Sequence, residues 1–213
     1  MEGTAAVAAV DEGTEAGDAR GTGADEPWDD DFATSASPLG IGVIVWLASE
    51  VMFFAGLFAA YFVLRSENDP WPPAGVDLDI PRAVLSTVLL LTSSATMHLA
   101  VRAGERGDHR KVGRWLAVTL TLGTLFLVNL GLEWAGLDFS LSTDAYGTSY
   151  YLITGFHGLH VLGGLILMVA VAALVLGRDS EAPVGPSVAV TGYYWHFVDV
   201  VWVFVFATLY LLQ

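Results

Sequence analysis

Six ionisable residues lie on stretches of this sequence that are otherwise apolar: Glu50, Glu133, His157, His160, His196 and Asp199. A carboxyl such as Glu50 can serve there in two ways. It can be a structural group, neutral or hydrogen-bonded to a neighbouring helix, or it can take part in a proton or lipid-headgroup site. His157 and His160 are three apart in Gly155-Phe156-His157-Gly158-Leu159-His160, which puts them near one helix face. Two imidazoles at that spacing can ligate a metal or haem. With no carboxylate beside them and no cysteine in the chain, bonding between helices is the simpler chemistry. Glycines 155, 158, 163 and 164 would then admit another backbone. His196 and Asp199, again three apart, read as a pair that fixes helix register or touches a partner subunit. No activated nucleophile, phosphate loop or metal cage accompanies these groups, so neither catalytic nor metal-binding residues are expected.

The elements that carry them are apolar and long. Glu50 sits in the run Leu39–Leu64, 26 residues with no other charge. At about 1.5 Å per helical residue that run exceeds a hydrocarbon core of roughly 30 Å. A charge at mid-bilayer costs about 3 kcal/mol on the mildest scales, so Glu50 must be neutral, paired or turned away from lipid. Further spans are expected at 82–102, 113–135, 148–177 and 190–212. The fold class is therefore all-α: a polytopic membrane bundle of five transmembrane helices, residues 38–213. It follows an acidic segment, residues 1–37, with ten acids, one base and no apolar periodicity, expected to be disordered. That segment lacks the basic start and apolar stretch of a secretory signal. The absence of cysteine excludes disulfides and thiolate metal sites, and no basic surface for nucleic acid is present.

Loops give direction. Ser66–Pro81, with Pro70, Pro72, Pro73 and Pro81, reads as a stiff surface loop. Arg102–Arg114 holds five of the nine basic residues, which places it in the cytoplasm. By alternation residues 1–37 and 178–189 are cytoplasmic, and the Pro-rich loop, 136–147 and the C-terminus are outside. Trp71, Tyr146, Tyr150 and Tyr210 are expected in interfacial belts, and Glu133, near a span end, as a solvated interface residue. Thr92, Ser93, Ser94, Thr96 and His98 form a polar stretch suited to hydrogen bonds between helices.

Four blocks then carry a resemblance: Ser49-Glu50-Val51-Met52-Phe53-Phe54-Ala55-Gly56, Trp71-Pro72-Pro73-Ala74-Gly75, Gly155–Val161, and Tyr194-Trp195-His196-Phe197-Val198-Asp199-Val200-Val201-Trp202. In content and order they resemble subunit III of haem-copper terminal oxidases, over essentially residues 38–213. The resemblance implies a helical wedge, packed on subunit I beside subunit II and other subunits, that binds no haem or copper. Haem and copper are then expected in the partner subunits. It also implies bound phospholipid and support of proton uptake and catalytic lifetime. Glu50 matches the family's carbodiimide-reactive carboxyl. His157, His160, His196 and Asp199 match its other polar positions, with roles in packing, lipid or subunit contact.

The implied protein is a non-catalytic subunit of a proton-translocating cytochrome c oxidase in the plasma membrane of a bacterium. The alternatives are subunit III of a quinol oxidase, an accessory subunit of a nitric oxide reductase or, from another class, a stand-alone transporter. Longer family members have seven spans and hold lipid in a cleft between the first two and the remaining five. The first two are missing here, so that cleft requires another subunit for its second wall.

Overall fold

The computed structural model of the protein describes residues 38–177 and 185–212. The acidic segment 1–37 and most of the expected 178–189 loop lie outside the described residues. Five helices are long and apolar enough to cross a membrane, and among the described residues there is no strand. They are α1 (Pro38–Glu67), α2 (Ile80–Glu105), α3 (His109–Ala135), α4 (Ala145–Gly177) and α5 (Gly185–Phe206). A π-helical turn, Ala207–Leu211, continues α5.

The ends differ from the hydropathy boundaries for local reasons. α2 begins at Ile80 because Asp79 caps it, accepting the Arg82 backbone N–H at 3.0 Å. Pro81, expected in the loop, instead occupies the first turn, where its missing N–H is not needed. The basic loop shrinks to the turn 106–108. Gly107, at φ +68°, adopts the left-handed conformation that favours glycine. The Asp108 N–H then reaches Ala103 O, and the Gly107 N–H reaches Gly104 O, which closes α2. Asp108 at once caps α3 through the Lys111 N–H at 3.0 Å. The Lys111 side chain holds the Asp108 carboxyl below the usual carboxylate range.

α2, α3, α4 and α5 form a ring in which each packs on the next and α5 returns to α2. α1 lies outside the ring against α4 and α5. Trp195, fully buried on α5, fills the centre of the ring near the α2–α3 hairpin. A Cβ at Gly123 of α3 would lie 2.7 Å from its ring, and one at Gly164 of α4 2.8 Å. Two missing side chains on two helices thus make its slot, and its indole N–H donates to Ser93 Oγ on α2 at 2.9 Å. Nearer the other end Trp202 donates to Thr87 Oγ1 at 3.0 Å and meets Phe126 edge-on. The α4 glycines therefore admit mainly side chains, not the backbone expected from sequence: Gly155 faces Trp134, Gly158 Leu130, and Gly163 the Tyr194 hydroxyl. Backbones approach closely where Gly104 meets Gly185.

Bonds between helices in membranes average about 0.6 kcal/mol, whereas overpacking a filled core costs about 1–3 kcal/mol. Gly123→Ala is therefore expected to lower thermal stability in detergent more than Ser93→Ala does. Trp195→Phe should recover part of the Gly123→Ala loss. The opposite ranking would mean that the hydrogen bond, not the slot, holds α5.

Candidate functional site

Glu50 and His160 meet between α1 and α4. Glu50 Oε2 lies 3.2 Å from His160 Nε2, with side chains 21% and 16% exposed. Most of α1 is exposed, Val51, Met52 and Phe53 included, while Glu50 and Phe54 turn inward towards His160. Phe54 stands edge-on to the imidazole at 5.0 Å, and Phe53 packs on both that ring and Phe156. The Tyr194 hydroxyl of α5 donates to the His160 carbonyl at 2.9 Å. Three helices thus converge on this pair.

The hydrogen bonds count its protons. His160 Nδ1 is 2.7 Å from the Phe156 carbonyl, which can only accept, so Nδ1 carries a hydrogen. Nε2 then either bears a second hydrogen and faces a carboxylate, or is bare and accepts from a neutral carboxyl. A bare nitrogen facing a carboxylate would set lone pair against lone pair. In both permitted forms one proton lies between Oε2 and Nε2 and the net charge is zero. The arrangement avoids an isolated charge in hydrocarbon and leaves one exchangeable proton.

The other expected site residues are separated. His157 does not share His160's surroundings: it is fully buried inside the ring, its imidazole 5.6 Å from Phe126 and 5.1 Å from Trp202. Among the described residues neither of its nitrogens has a hydrogen-bond partner, so the expected bond between helices is made by His160 alone. His196 and Asp199 do not pair with each other. His196 Nδ1 meets the Ser94 hydroxyl of α2 at 2.6 Å. Asp199 is buried on the Trp195–Trp202 face, and among the described residues neither of its oxygens sits in good hydrogen-bond geometry. Both His196 and Asp199 nevertheless face the same Ser94 hydroxyl of α2, so that residue, not a direct pair, links them. The polar stretch on α2 does bond outward as expected through Ser93, Ser94 and Thr96, which meet Trp195, His196 and Thr119. Thr92 and His98 are exposed. Among the described residues no three His, Asp or Glu side chains converge as metal ligands would.

Glu133 corrects a sequence expectation. It is not solvated but buried, 3% exposed. Its Oε1 accepts from Tyr210 at 2.7 Å and from Tyr150 at 3.1 Å, and the two phenols are themselves 3.1 Å apart. Tyr146, Tyr150 and Tyr210, expected in interfacial belts, are core residues. Trp71 is half-buried and donates to Tyr61 at 3.0 Å. A signal was present in the chain: Tyr146, Tyr150, Ile153, His157, Val161, Gly164 and Met168 advance by threes and fours along one buried stripe of α4. Extending His157's own face backwards reaches both tyrosines.

Comparison with known proteins places the sequence in a family. Residues 30–213 match the profile of the family described as Cytochrome c oxidase subunit III. A Nocardia farcinica protein named "Probable cytochrome c oxidase subunit 3" is 44% identical over 183 residues, covering 82% of this chain and 88% of that one. Proteins named cytochrome c oxidase subunit 3 from Corynebacterium diphtheriae and Thermostichus vulcanus are 41% and 36% identical, over 82% and 81% of this chain and 88% and 86% of theirs. The chain is a multi-pass membrane protein of the helical class seen here, and it belongs to the cytochrome c oxidase subunit III family.

Because a buried hydroxyl without an acceptor costs about 1–3 kcal/mol, Glu133→Leu should destabilise the bundle by that order. Adding Tyr150→Phe and Tyr210→Phe should recover part of the loss, since the orphaned donors are then gone. Denaturation in detergent reads both; a neutral Glu133→Leu would return Glu133 to the solvated interface.

Proposed function

We propose that this chain is a subunit without redox chemistry of its own in an aerobic terminal oxidase of the cytochrome c type. It packs directly on the catalytic subunit I, alongside subunit II, and those partners hold the haem and copper. Its membrane is the plasma membrane of a bacterium. Residues 1–37 and the Arg102–Arg114 segment, the 106–108 turn with the helix ends beside it, face the cytoplasm, and the C-terminus faces outside. The five bases of that segment support this direction. Phospholipid associates with the subunit.

The observation that carries the functional reading is the Glu50–His160 pair, a carboxyl and an imidazole 3.2 Å apart on a helix most of which is exposed. The pair stabilises α1 against α4. The shared proton can shift between Oε2 and Nε2 without changing the pair's net charge, and passing it on requires a second proton to replace it.

The test is made in the intact complex. Glu50→Gln and His160→Gln should each leave haem co-purifying with the tagged subunit at the ordinary stoichiometry and leave the initial rate of oxygen consumption unchanged. Active lifetime during turnover should shorten severalfold. Unaltered lifetime and proton stoichiometry in both variants would remove the proton-support role. Protein purified without haem would overturn membership of an oxidase complex and revive a stand-alone transporter. Turnover with quinol but not cytochrome c would reassign the electron donor.

A further inference from the structure

The α2–α3 turn closes over a pocket of about 120 Å³, separate from every group discussed as a functional candidate. Arg102, Arg106 and Lys111 line its mouth, with Leu99 and Trp115 among its walls. Leu99 lies three residues before Arg102 on α2, and Trp115 four after Lys111 on α3. At 1.5 Å per residue these apolar side chains sit about 4.5–6 Å deeper in the membrane than the cations. Among the described residues Arg102 and Arg106 have no carboxylate partner, unlike Arg82, which pairs with Asp79 at 3.4 Å. The pocket's one acid, Asp108, is already engaged. One oxygen meets Lys111 Nζ at 2.9 Å and the other caps α3, so it steadies Lys111 and leaves the site net positive.

We propose that this pocket binds the headgroup of an anionic phospholipid. Both helices that form it end here as membrane spans, which puts the cations at headgroup depth and the apolar wall at the level of the glycerol and first methylenes. Paired and unpaired cations over a Trp- and Leu-lined floor complement a phosphodiester with acyl chains attached. A pocket of about 120 Å³ admits a phosphate group but not a helix about 10 Å across. The inference rests on the reading of the chain as a phospholipid-associated membrane subunit and supplies that reading with a site. It does not depend on Glu50 or His160.

The experiment measures lipid, not turnover, so its failure is distinguishable from failure of the proton-support reading. The intact complex is delipidated in mild detergent, and phosphatidylglycerol or phosphatidylcholine is titrated in, with bound lipid counted by native mass spectrometry. The complex should retain phosphatidylglycerol in preference to phosphatidylcholine. Arg106→Gln, which keeps four of the five bases of the turn and so its insertion bias, should weaken one phosphatidylglycerol site by roughly fivefold. Arg102→Gln/Arg106→Gln/Lys111→Gln should abolish that site. Equal retention of both lipids, or titrations unchanged in the variants, would overturn the proposal. So would a site that appears only when residues 1–37 are deleted, because the acidic segment would then be the occupant.

Discussion

Hydrocarbon offers no hydrogen bonds, so a polar side chain in a span is stabilised by a partner on another helix, by a carbonyl of its own helix, or by enclosure. That requirement organises this bundle. Ser93, Ser94 and Thr96 tie α2 to α5 and α3, Tyr150 and Tyr210 tie α4 and the end of α5 to Glu133, and Glu50 ties α1 to α4. Where no partner is found, enclosure replaces it: His157 lies against the rings of Phe126 and Trp202. The individual bonds are weak. Their effect is to fix the rotation of each helix so that Trp195 and Trp202 meet the places cleared for them.

The bundle is unevenly built. More than half of α5's span is buried, and almost none of α1's. α1 is held by ties along its length: Trp46 stacked on Tyr194 near its start, the Glu50–His160 pair and buried Phe54 at its middle, and, towards its end, Tyr61 donating to the Thr208 carbonyl and Arg65 bonded to the Leu212 carbonyl. A carboxyl–imidazole pair on the least anchored helix has exposed apolar side chains, Val51, Met52 and Phe53, immediately beside it.

Hydropathy made the five spans legible, because length and composition alone define a membrane helix. It also isolated Glu50, whose cost in lipid demands a partner. It could not name His160 as that partner, since the choice between His157 and His160 depends on how α4 is rotated. The Trp195 slot was invisible for a related reason: it is assembled from absences on two other helices, Gly123 and Gly164. Glu133 was misread because its nearness to a span end suggested water, while the two phenols that bury it come from distant segments. Helix ends were misplaced by a few residues wherever capping at Asp79 and Asp108 carried the helix past its apolar stretch.

The π-helical turn at Ala207–Leu211 has a consequence for how this chain tolerates change in length. A wide turn spends an extra residue without advancing the helix face in the ordinary way. That adjustment brings Thr208, Leu209 and Tyr210 all into the interior. Removing one residue there would let the segment relax to α-helix and leave the face on either side of it unchanged, because the residue lost is the one that the wide turn had absorbed. The end of this span therefore works as slack: a single deletion there is taken up by the wide turn itself, whereas the same deletion in the α-helical part of α5 would turn the rest of the helix by about 100°.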